Sequence, residues 1–151
     1  GSLCATAYRT LGTDSMSFKY YRYDARGRVI KMWNYIAGLG TKVISYEYNS
    51  QNQITELIYK SGYSDSKTFK YAYDYAGRLL NTSISYIPQV SPEDFIVFNS
   101  YTYNQNSQIN TFKFDPINLT HTSSYDSRNR ITNYSCSKPD IIVFLCFQEF
   151  S

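Results

Sequence analysis

The chain has 151 residues, about one domain's worth and enough for a core if it folds compactly. Aromatic residues make up 18% of it, 17 of them Tyr, while charged residues reach only 18%. The formal net charge of +3 is scattered, which argues against a nucleic-acid-binding arm, and the longest apolar run is far short of the roughly 20 residues that span a bilayer.

Repetition dominates the pattern. Taken in chain order, "YRYDARGRVI" from Tyr21, "YEYNSQNQIT" from Tyr46, "YAYDYAGRLL" from Tyr71, "YTYNQNSQIN" from Tyr101 and "SSYDSRNRIT" from Ser123 share one spacing. Two places after each start stands Tyr23, Tyr48, Tyr73, Tyr103 or Tyr125, followed by Asp24, Asn49, Asp74, Asn104 or Asp126. Three places further come Gly27, Asn52, Gly77, Ser107 and Asn129, and then an aliphatic residue: Val29, Ile54, Leu79, Ile109 or Ile131. Agreement at fixed offsets across five copies argues for duplication of one structural unit.

Each unit reads as a β-hairpin. Asp or Asn suits the first turn position because its side-chain oxygen accepts from backbone N–H groups just ahead. The fourth position then needs a left-handed backbone, natural for Gly and tolerated by Asn, so the pattern predicts a three-residue loop with a glycine bulge. Ser107 is the poorest occupant, which predicts a looser fourth hairpin or a different turn there. Each Asp is followed at four residues by Arg (Arg28, Arg78, Arg130), and each Asn by Gln (Gln53, Gln108). Facing one another across the strand pair, both combinations match donor to acceptor. Common descent of a unit of two hairpins would leave the same pattern without contact, and both explanations stand at this level.

Strand periodicity flanks the turns: Phe69, Tyr71 and Tyr73 share a face, as do Ile44, Tyr46 and Tyr48. The hairpins are expected over 17–36, 42–60, 67–87, 95–115 and 119–136, with 137–151 as an apolar terminal strand of one repeat domain, 1–151. Connections fall at Ala37–Gly40, Ser61–Ser66, Pro88–Asp94 and Asp115–Thr122. The fold class is therefore all-β: an antiparallel meander of about five tandem hairpins and about ten strands, in a sheet that twists, curls or spirals because it cannot hide both faces. Ile141–Phe147, apolar on both faces, is expected as a buried last strand or a contact for self-association.

The motif resembles the YD repeat of Rhs-type and teneurin-like proteins, an aromatic pair, Asp, two free residues, Gly-Arg and an aliphatic residue. "YAYDYAGRLL" and "YRYDARGRVI" carry the resemblance best, and it covers about Phe18 to Tyr134. The resemblance implies a spiralling sheet of hairpins on a secreted, periplasmic or cell-surface protein, often bacterial, and in long members a shell around a toxin or other cargo. The family's self-cleaving segment is unmatched; Asp115-Pro116 is a lone dipeptide.

Catalytic constellations do not assemble. His121, the sole histidine, has no sequence neighbour suited to metal or base chemistry and reads as a loop residue. Glu93 and Asp94 are adjacent, so they point apart. Cys4, Cys136 and Cys146 match no CxxC spacing and read as free or buried thiols, a disulfide from Cys136 staying open in an oxidising compartment. The expectation is a non-enzymatic module with neither cofactor nor metal. It scaffolds, or binds a glycan on exposed Tyr rings or a cell-surface protein; the alternative is a fragment of a larger Rhs-like shell or toxin-delivery protein.

Overall fold

A computed structural model describes residues 3–9, 16–62, 65–86 and 91–139. Eleven antiparallel strands follow one another in a single meandering sheet, each bonded to the next in sequence. They are β1 (Leu3–Arg9), β2 (Met16–Tyr23), β3 (Val29–Ile36), β4 (Gly40–Tyr48), β5 (Ile54–Ser61), β6 (Asp65–Tyr73), β7 (Leu79–Ser85), β8 (Ile96–Tyr103), β9 (Ile109–Phe114), β10 (Leu119–Tyr125) and β11 (Ile131–Ser137). Runs of Tyr, Ile, Val and Thr at alternating positions favour this pleated form. The chain packs as two compact units, Gly1–Lys70 with Ile84–Phe95, and Tyr71–Ser83 with Ile96–Ser151.

The five repeats are the hairpins β2–β3, β4–β5, β6–β7, β8–β9 and β10–β11. Each turn closes in the same way. The N–H of Asp24 donates to the Arg28 carbonyl at 2.9 Å, and the N–H of Gly27 donates to the Asp24 carbonyl at 3.1 Å. The same two bonds recur in the other four repeats, within 2.9–3.2 Å. The fourth position is left-handed every time: φ is 77° at Gly27, 65° at Asn52, 79° at Gly77 and 64° at both Ser107 and Asn129. Ser107 thus adopts the common turn, not a different one. The reason is a compensating contact: its hydroxyl oxygen accepts from Arg78 Nη1 at 3.1 Å.

Beyond the turn the register slips by one residue. Arg22 faces Lys31 and Tyr23 faces Val29, which leaves Ile30 as an extra residue on the return strand. Thr55, Asn110 and Thr132 occupy the same place in their hairpins. Such bulges sharpen the local right-handed twist.

β1, which pairs with β2 from Leu3↔Arg22 to Arg9↔Met16, lies outside the repeat pattern and brings the strands to eleven, in line with the ten or so expected. One further expectation needs correction. The connection expected over Asp115–Thr122 is far shorter. Asp115–Ile117 forms one 3-10 turn, Asn118 reverses the chain at φ 51° and ψ 40°, and β10 begins at Leu119. His121 is consequently a strand residue. Asp94, at the end of the short 3-10 turn Pro92–Asp94, accepts from the Ser91 N–H at 2.7 Å and the Ser91 hydroxyl at 3.0 Å, so its carboxylate serves as a local brace. Cys4 and Cys136 are free thiols. Ile141–Phe147, Pro88 and Cys146 lie outside the described residues.

Among the described residues the apolar core is thin. Ile84, 6% exposed, is the one fully buried apolar side chain, and the most enclosed residues are Thr68 at 2% and Ser85 at 1%. Tyr20, Tyr35, Leu80 and Tyr134 remain exposed on the sheet. Stability must therefore come mainly from backbone ladders, cross-strand pairs and the turns.

The turns admit a direct test. A Cβ on Gly27 meets nothing within 4 Å, so Gly27→Ala carries only the backbone cost of the left-handed conformation. Denaturant unfolding should show a loss of about 1–2 kcal/mol, with the slope unchanged.

Candidate functional site

The repeat residues converge on the hairpin turns. In the first repeat Asp24 Oδ1 accepts two backbone N–H groups, from Arg26 and Arg28, both at 2.9 Å. Its other oxygen, Oδ2, accepts from Arg28 Nε at 2.6 Å. The second repeat keeps the first half and inverts the second. Asn49 Oδ1 accepts from the N–H groups of Gln51 and Gln53, while Asn49 Nδ2 donates to Gln53 Oε1 at 2.9 Å. Asp74–Arg78 (2.6 Å) and Asp126–Arg130 (2.7 Å) repeat the charged form, and Asn104–Gln108 (2.8 Å) the amide form. The Asp/Arg and Asn/Gln combinations touch in every repeat. Swapping both partners together preserves the donor–acceptor match, whereas Asn opposite Arg sets donor against donor and Asp opposite Gln loses the charge complement.

Successive turns are also tied to each other. In the first unit, Arg28 Nη1 donates to the Asn49 carbonyl at 3.3 Å and to Asn52 Oδ1 at 3.0 Å. Its guanidinium lies 4.6 Å from the Tyr48 ring centroid, within cation–π range. The Tyr48 hydroxyl in turn donates to the Val29 carbonyl at 2.7 Å. The second unit repeats this constellation: Arg78 Nη1 reaches the Asn104 carbonyl at 3.2 Å and Ser107 Oγ, its guanidinium stacks 4.7 Å from Tyr103, and the Tyr103 hydroxyl donates to the Leu79 carbonyl at 2.7 Å. One step further, Gln108 Nε2 donates to the Asn129 carbonyl at 3.0 Å, Asn106 Nδ2 to Asn129 Oδ1 at 2.8 Å, and Tyr125 to the Ile109 carbonyl at 2.9 Å. Tyr48, Tyr103 and Tyr125 are therefore straps from one hairpin to the return strand of the one before.

The electrostatics follow from these bonds. The backbone N–H of Arg28 holds the Asp24 carboxyl below its ordinary 3.8, helped by the Arg28 side chain. Asp74 and Asp126 are lowered in the same way, by the N–H groups of Arg78 and Arg130 first. Burial pushes the phenols of Tyr48, Tyr71, Tyr73 and Tyr103 up.

Away from the turns, two shallow aromatic depressions lie on the sheet. In the first unit Tyr20, Trp33, Tyr35 and Thr41 line one of about 380 Å³. In the second, Tyr101, Ile109, Phe112, His121, Ser123, Tyr125 and Tyr134 line one of about 440 Å³. Sequence reasoning missed both, because they depend on strand register: Tyr20 faces Trp33, and Phe112 faces His121. The single available signal was the alternation of rings along each strand. Among the described residues no cluster of three or more metal-ligating side chains occurs, and no helix is long and apolar enough to cross a membrane.

No protein-family model and no curated protein matches this chain. Among solved structures, a mutant form of the Tc holotoxin pore of Photorhabdus luminescens aligns over 82% of this chain and 8% of its own, at 18% identity and a TM-score of 0.40. The chain thus spans less than a tenth of the length of that structure's chain.

Two measurements address the turns. In a double-mutant cycle, Asp74→Asn and Arg78→Gln should each destabilise the protein, and the double variant, which recreates the amide turn, should recover part of the sum. Purely additive losses would show that the pair is not coupled. For acid, the sign follows from the lowered carboxyls: their contribution is complete above the unfolded value near 3.8 and drains away as pH falls through the lower folded values. Thermal melts should lose stability below about pH 4, and a triple Asp24→Asn, Asp74→Asn, Asp126→Asn variant should flatten that limb.

Proposed function

We propose that the chain is a structural hairpin-repeat module, a length of the wall from which larger YD-repeat shells of the Rhs type are built, exported or displayed at a cell surface. The supporting observation is that the turn side chains bond within their own hairpin or to the next one. Asp24 and Arg28 close a turn and reach another; Asn104 and Gln108 do the same. Groups engaged in this way are committed to building a surface. A sheet with so little apolar core suits a wall whose faces meet cargo or neighbouring protein.

A second reading draws on the depression where the exposed rings of Tyr20 and Tyr35 flank the half-buried Trp33 and offer stacking planes to a sugar. In this reading the module binds glycans at its sheet face.

Electron cryomicroscopy with limited proteolysis of the complete natural gene product tests the first reading. The expected result is a protease-resistant hollow particle with the five hairpins in its wall. A free module with solvent on both faces would overturn it. Binding on a glycan array that Trp33→Ala abolishes would favour the second reading.

A further inference from the structure

The sequence gives His121 no partner, but the register does. His121 on β10 directly faces Cys136 on β11, and the imidazole Nε2 lies 3.8 Å from the Cys136 Sγ. On its other side, Nδ1 is hydrogen-bonded to the Tyr134 hydroxyl. The neighbouring pairs on these two strands, Thr120↔Ser137 and Thr122↔Ser135, are small and polar. A thiol and an imidazole at this step are therefore not what strand pairing alone requires.

The geometry points to Cys136 as a covalent modification site: a thiol served by His121 as base, which adds to a planar, apolar α,β-unsaturated carbonyl compound seated in the adjoining aromatic depression. With the proton on Nδ1 donated to the Tyr134 oxygen, Nε2 is left as an acceptor aimed at the thiol, so Tyr134 is a positioning residue. A nucleophile, a base in reach and a third group orienting the base are the elements that activate a cysteine. The depression supplies the planar preference. The His121 ring stacks 5.8 Å from Phe112, which lies 5.2 Å from Tyr101, and a cavity of about 440 Å³ lies over this row of rings. That volume lies within the range of small-molecule sites.

The step balances without an oxidant. The thiol proton passes to His121 Nε2, a sulfur electron pair forms the C–S bond at the β-carbon, and the C=C pair shifts into the enolate. The imidazolium then returns its proton to the α-carbon. Nothing is oxidised or reduced. The reaction is a stoichiometric capture and stands apart from the structural role proposed above.

N-phenylmaleimide and N-ethylmaleimide serve as probes, with labelling rates read at each cysteine by peptide mass spectrometry and Cys4, an exposed free thiol, as internal reference. Cys136 should react faster than Cys4 and prefer the phenyl reagent. His121→Gln should slow Cys136 at least tenfold and leave Cys4 unchanged. Tyr134→Phe should slow it less and move the imidazole proton from Nδ1 to Nε2 in the nitrogen NMR spectrum. Equal rates with and without His121, or no phenyl preference at Cys136, would overturn the assignment. The comparison of the two cysteines in the unaltered protein decides the matter even if a variant fails to fold: slower labelling of Cys136 than of Cys4 by both reagents would also overturn it.

Discussion

Everything in this protein hangs on one side-chain oxygen used twice. Asp24 Oδ1, and its counterparts Asn49, Asn104 and Asp126, each accept two backbone N–H groups two and four residues ahead. This fixes the chain reversal locally, before any distant contact is needed, and it frees the second atom of the same side chain for the residue that closes the loop. A three-residue loop then becomes a rigid corner instead of a flexible joint.

Rigid corners matter because little else is available. A single sheet with Ile84 as its one fully buried apolar side chain among the described residues gains modestly from removing hydrocarbon from water. Ring contacts fill part of the deficit. Phe18 and Tyr35 sit 6.1 Å apart, Phe98 and Phe114 meet edge to face at 4.9 Å, and Lys70 lies 4.0 Å from the Phe95 ring centroid. The turn-to-turn bonds fill another part, since a Tyr hydroxyl and an Arg guanidinium fasten each hairpin to its neighbour wherever Arg28 and Arg78 occur. Tyr suits such a protein because one residue covers apolar surface with its ring and satisfies a carbonyl with its tip.

The hairpins, their loop length and the left-handed fourth position were legible in the sequence, since each depends on residues within a few places of one another. The contact between the first turn position and the residue that closes the loop was half legible: the covariation of Asp with Arg and Asn with Gln suggested it, but shared ancestry explained it equally well. What crosses from one hairpin to the next was not legible. The bond from Tyr48 to Val29 and the meeting of His121 with Cys136 depend on connection lengths and on the one-residue bulges in their hairpins. Asn118 is the clearest case, because its left-handed backbone shortens the link before β10 and so moves His121 from a loop onto a strand. Ser107 misled for a related reason: judged alone it is a poor turn residue, yet the Arg from the hairpin before it makes its hydroxyl useful.

That last feature bears on how a chain of near-copies avoids misaligning with itself. Arg28 and Arg78 are each followed by a repeat whose left-handed residue has an oxygen to offer, Asn52 or Ser107. Glycine at those two places would relax the backbone and leave the guanidinium with one acceptor fewer. A hairpin that skipped its neighbour and docked Arg28 against the turn of Gly77 would meet a bare α-carbon. The departures from glycine at Asn52 and Ser107 thus favour docking on the next turn over docking on that of Gly77.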